Sequence, residues 1–118
     1  MDKWSDSSIL KSIKNPSQMD YEMVHETSEF TFLGAGGKPD FAHIKITMIP
    51  QDMVVELKSL KFYLYQFRNK IVSYERLINV IYQDLLDVYN PKYLMVEMST
   101  TPRGGINSHL KIENKEVK

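Results

Sequence analysis

Between Ser73 and Pro91 the chain reads SYERLINVIYQDLLDVYNP, and Tyr74, Leu77, Ile78, Ile81, Tyr82, Leu85 and Val88 recur there at the i, i+3, i+4, i+7 spacing of one helical face. Ser73 supplies a hydroxyl to cap the first turn, and Asn90-Pro91 ends the segment. So continuous an apolar stripe must be covered by another layer. Upstream, Val54, Leu57, Leu60, Leu64 and Phe67 mark a second helix, opened by Pro50 and Asp52 and stopping near Arg68-Asn69. Before it, the β-rich residues 21–33 and the alternation in residues 41–50, with Ala42, Ile44, Ile46 and Met48 on one face, predict two strands joined by residues 34–40. After the helices, KYLMVEMSTTPRGGINSHLKI reads as two strands about a turn at Pro102-Arg103-Gly104-Gly105. The order is ββααββ, an α+β unit with an antiparallel sheet and two helices on one face. Its sheet edges are open, and joining sheets into a ring between subunits covers them.

At 118 residues the chain fits one domain. We expect residues 1–18 to be a polar arm that orders only against a neighbour, and residues 19–118 to form the domain. Fifteen basic and fifteen acidic residues cancel, which disfavours nucleic acid or an anionic membrane as a direct partner. A small ligand or another subunit fits better. There is no cysteine, so disulfides, thiolate metal sites and thiol nucleophiles are excluded together. No apolar run spans a bilayer and the N-terminus lacks an apolar leader core, so a cytoplasmic protein is expected. No HExxH or comparable spacing occurs, and no metal is expected.

FTFLGAGGKPDFA, residues 30–42, places three glycines and a lysine between two strands. A phosphate-binding loop needs GxxxxGK followed by Ser or Thr and then a helix, whereas Lys38 is followed by Pro39-Asp40 and a strand. A plain glycine-rich hairpin loop satisfies the local propensities. The ordered set EFTFL, PDFA, VELKSLKFYLYQFRN, Ser73-Tyr74-Glu75 and TPRGG, however, resembles the 7-cyano-7-deazaguanine reductase (QueF) family, over residues 28 to about 107. The resemblance implies the tunnelling fold, whose ββααββ subunits assemble into barrel-like rings, here pentamers or stacked decamers, with purine-like ligands bound between subunits.

In that family a cysteine thiolate attacks the substrate nitrile, and the thioimide formed is reduced by NADPH. Gly34 stands at the cysteine's position, in a loop one residue shorter, and the family's His-Glu pair reads Tyr74-Glu75. The resemblance makes Glu75 the anchor for the guanidine-like edge of a 7-deazaguanine, a task suited to two carboxylate oxygens facing adjacent N–H donors. It makes Asp40 the proton donor beside the reacting carbon. It also implies that Leu57 and Ser59 help close the substrate site, and that Lys58, Lys61 and Arg103 would contact NADPH if that cofactor is kept. His43, on the strand after Asp40, is a further catalytic candidate, while a structural role is the commoner one for a strand histidine. Each acid has a plain alternative too: Glu75 as a first-turn helix acid and Asp40 as a turn acid after proline.

Thioimide chemistry needs a nucleophile that adds and later leaves, and glycine has no side chain. The expected reaction is therefore non-redox, with no cofactor: decarboxylation of 7-carboxy-7-deazaguanine to 7-deazaguanine. Asp40 is its acid, and Gly34, Gly36, Gly37, Lys38 and Tyr74 are the expected carboxylate-side and ring-side contacts, the glycine N–H groups forming an anion nest. Two alternatives remain: a residual NADPH-dependent reductase of the queuosine pathway, and a non-catalytic deazapurine-binding module.

Overall fold

The structure is a computed structural model that describes residues 4–34, 36–100, 102 and 104–114. Strand β1 (Ser12–Lys14) is followed by β2 (Met23–Leu33), β3 (Pro39–Ile49) and β4 (Met53–Val55), then helices α1 (Leu57–Tyr65) and α2 (Tyr74–Tyr89), then β5 (Tyr93–Thr100) and β6 (His109–Glu113). The main sheet is antiparallel in the order β2-β3-β5-β6, and β1 pairs with β4 in a separate two-stranded ribbon. The predicted α+β order is thus present, with the small ribbon added to it.

Period-2 patterning sets the faces of the sheet. Ala42, Ile44, Ile46 and Met48 of β3 and Leu94, Val96 and Met98 of β5 are all buried, and they form one core with Leu60, Tyr63, Leu77, Ile78, Ile81 and Leu85 of the helices. Between Thr27 and Phe30 the β2–β3 register slips by a bulge, which turns Phe30 and Phe32 onto the core side. Ser73 caps α2 by accepting from the Arg76 N–H, as its hydroxyl predicts. Asn90 ends that helix in the left-handed region at φ 43°, a conformation asparagine tolerates better than most residues.

Three expectations need correction. Residues 50–56 do not open the first helix: Val54 and Val55 are buried in β4, where β-branched side chains suit pairing with β1, and Glu56 caps α1 by accepting from the Lys58 and Ser59 N–H groups. Asp40 is not in the connecting loop. It lies inside β3, opposite Phe32.

Nor do residues 4–14 behave as an arm awaiting a neighbour. Trp4 stacks on Phe67 at 5.5 Å and lies beneath the charged ends of Lys70 and Arg76. Leu10 joins the core, and the Lys11 backbone bonds to Ser59, Glu56 and Tyr89. The Ser5 hydroxyl and the Tyr63 phenol both donate to the same oxygen of buried Asp84, each at 2.6 Å. Burial and the Asp84 charge push the Tyr63 phenol well above its ordinary pKa. Tethering of this kind predicts that Ser5→Ala lowers global stability by about 1 kcal/mol, because Asp84 loses a buried donor. Urea unfolding reads this as a lower midpoint in a single transition, and an unchanged midpoint defeats the assignment.

Candidate functional site

The β2–β3 hairpin and the start of α2 meet at a recess of about 180 Å³ lined by Phe32, Gly34, Asp40, Val72, Ser73, Tyr74 and Glu75. Backbone pairing brings the two parts together: Leu33 N–H donates to the Lys70 carbonyl and Val72 N–H to the Leu33 carbonyl, so the segment entering α2 runs along the end of β2. A larger cleft, about 470 Å³, lies between residues 14–20 and the β3–β4 turn. None of the described candidate residues lines it, so the chemistry points to the smaller recess.

Asp40 is the buried acid of the recess, only 3% exposed. Its Oδ1 accepts from the Phe41 N–H at 2.9 Å, and its Oδ2 accepts from the Tyr74 hydroxyl at 2.8 Å. The Tyr74 ring meets the fully buried Phe32 edge to face, centroids 5.6 Å apart. Glu75 projects from the first turn of α2 at the rim, where the helix N-terminus favours negative charge. It is exposed, and its main-chain carbonyl accepts from Asn79. Asp40, Tyr74, Glu75 and Gly34 are therefore brought together.

Other candidates stand apart. His43 lies on the opposite, helix-free face of β3, where its Nε2 is 2.8 Å from Glu26 Oε1 across the sheet. A three-residue step along a strand reverses the side-chain direction, so Asp40 and His43 cannot share one side of it. Ser59 is buried and occupied: its hydroxyl donates to the Glu56 carbonyl at 2.7 Å and accepts from Lys11 N–H at 2.9 Å. Its role in this chain is to tie α1 to the N-terminal segment. Leu57, Lys58 and Lys61 are exposed on α1 and absent from the recess, and Arg103 lies outside the described residues.

Two of the glycine N–H groups expected to form an anion nest are already engaged. The Gly34 N–H donates to Lys38 O and the Gly37 N–H to Gly34 O, so both are engaged within the loop. Gly37 needs its freedom, at φ +79°, whereas Gly36 and Lys38 are exposed. Of the described residues of that loop, Gly34 alone lines the recess. Phe32 and Val72 are wall residues that sequence reasoning missed. The alternation Phe30, Phe32 could have placed Phe32 inward, but its pairing with Tyr74 depends on the fold.

Among the described residues no group of three or more His, Cys, Asp or Glu could hold a metal, and no helix is long and apolar enough to cross a membrane.

The family model described as QueF-like protein matches residues 39–118. The chain is 40% identical over 108 residues to an NADPH-dependent 7-cyano-7-deazaguanine reductase of Magnetococcus marinus, covering 90% of this chain and 84% of that protein. A protein of the same name from Aquifex aeolicus is 41% identical over 91% of this chain and 84% of its own length, and one from Bacteroides thetaiotaomicron 46% over 84% and 67%. The apo crystal structure of the archaeosine synthase QueF-Like superposes with a TM-score of 0.72 at 16% identity, covering 86% of this chain and 99% of that one, a likeness of fold. On the matched family model and on relatives aligned over most of its length, this chain belongs to the QueF-like protein family.

Proposed function

We propose that this chain is a non-redox lyase that decarboxylates 7-carboxy-7-deazaguanine to 7-deazaguanine. The observation that carries the reading is a recess that keeps a buried acid and a rim carboxylate, Asp40 and Glu75, beside Gly34, in a chain with no cysteine. Glu75 accepts hydrogen bonds from the guanidine-like edge of the ring, and Asp40 delivers a proton to the ring carbon bearing the carboxylate. The electron-rich pyrrole carries the resulting positive charge. The bond to the carboxylate then breaks, carbon dioxide leaves, and the electron pair returns to the ring. One proton is consumed and no electrons change hands.

Engagement of the Gly34 and Gly37 N–H groups within the loop suits this chemistry. A tight carboxylate clamp stabilises the charged ground state more than the transition state and raises the barrier. Lys38, exposed beside the loop, is placed to attract the anionic substrate without gripping it. At about 180 Å³ the recess falls below the roughly 300 Å³ at which closed ligand pockets begin. A second copy of the chain is therefore proposed to complete its open side.

Identity of 40–46% to named NADPH-dependent reductases favours a second reading, reduction of the cyano compound. Exposed Lys58 and Lys61 could bind a dinucleotide phosphate, and NADPH would supply hydride. Gly34 counts against that reading, because the covalent step has no nucleophile. Incubating the protein with the carboxy and the cyano compounds, with and without NADPH, and weighing the products separates the two. Carbon dioxide loss without NADPH is expected, and cofactor-dependent consumption of the nitrile alone rejects the lyase. Glu75→Gln should weaken ring binding about tenfold or more in a titration, since a charged acceptor facing two donors is lost. Unchanged affinity removes Glu75 from the site.

A further inference from the structure

We infer that Lys70 and Arg76 form, over the indole of Trp4, a binding site for the dianionic phosphate group of a small phosphomonoester, a site independent of the reaction proposed above. The Lys70 ammonium lies 5.1 Å and the Arg76 guanidinium carbon 5.0 Å from the centre of the Trp4 ring. Two like charges thus converge on one side chain. The ring attracts each cation through its quadrupole, but it carries no net charge and leaves their mutual repulsion in place. Among the described residues ion pairs form at His43, Lys92, His109 and Lys111, and no carboxylate pairs with Lys70 or Arg76. Asp6, two residues beyond Trp4, turns its Oδ1 back onto the Ser8 N–H and hydroxyl. Glu75 lines the recess, which neither cation does.

The platform under the two charges is fixed by packing. Trp4 stacks on the fully buried Phe67 at 5.5 Å, and its carbonyl accepts from the Lys70 ammonium at 3.2 Å. That bond holds one cation beside the ring, while Arg76, exposed in the first turn of α2, has a long side chain free to close on an anion. A phosphomonoester supplies the missing negative charge, and its three terminal oxygens accept from the guanidinium fork and the ammonium together. A phosphodiester, with a single charge, matches two cations less well.

Trp4 is the one tryptophan of the chain, so its emission reports on this site alone. Millimolar methyl phosphate should change that emission saturably and raise the urea midpoint, measured against sodium chloride at equal ionic strength. Dimethyl phosphate at the same concentration should do neither. Lys70→Gln and Arg76→Gln should each weaken methyl phosphate binding about tenfold or more, because a charge-assisted hydrogen bond is lost. Arg76→Lys, which keeps the charge, should weaken it less than Arg76→Gln does. A wild-type response no larger than that to sodium chloride, or an equal response to dimethyl phosphate, overturns the site whether or not the variants fold. Unchanged affinity in the folded glutamine variants overturns it as well.

Discussion

Replacing Asp40 by asparagine is expected to slow carbon dioxide release about 10²- to 10⁴-fold while leaving affinity for the 7-deazaguanine ring nearly unchanged. The amide has the shape of the carboxyl and keeps an oxygen for the Phe41 N–H, so the hairpin should hold its geometry. What it lacks is a proton acidic enough to transfer to carbon. The separation of effects is the informative part: ring binding is assigned to Glu75 at the rim, and proton delivery to a residue buried behind it. Stopped-flow release of carbon dioxide together with a ligand titration measures both. An Asp40→Asn enzyme that turns over at the wild-type rate defeats the assignment, and one that loses ring binding to the same degree as turnover makes Asp40 a binding group instead.

Truncating Phe67 to alanine should cost about 3–5 kcal/mol, a large part of the roughly 5–15 kcal/mol that holds a domain folded. Phe67 has no exposed surface, and three aromatic rings pack on it: Trp4 at 5.5 Å, Phe30 at 6.1 Å and Tyr63 at 5.4 Å. Those partners come from the N-terminal segment, the sheet and α1, so one side chain links three parts of the fold. Loss of its ring leaves a cavity that none of the three can fill alone. Denaturant titration should show the midpoint falling with little change in slope, and a loss below about 1 kcal/mol contradicts this account of the core.

The α2 stripe, its Ser73 cap and its Asn90-Pro91 end were readable because helical period and capping chemistry are local. The inward face of β3 was readable for the same reason. Apolar residues at helical spacing do not reveal β1, the ribbon partner that makes Val54 and Val55 part of a strand. The polar composition of the N-terminal segment hides the few residues, Trp4, Ser5 and Leu10, that dock it. Nothing local to residues 56–61 shows that the Ser59 hydroxyl is engaged by Lys11 and Glu56.

Residue types alone settled that no thiol chemistry is available, that an acid follows the glycine loop, and that two strand pairs enclose two helices. These are statements about which atoms exist and which periods repeat, and they survive any packing. That Asp40 is buried beneath Tyr74, while His43 faces away across the sheet, was decided only in three dimensions. Cross-strand register and the docking of α2 against β2 join residues 34 positions apart, and no local preference records that distance.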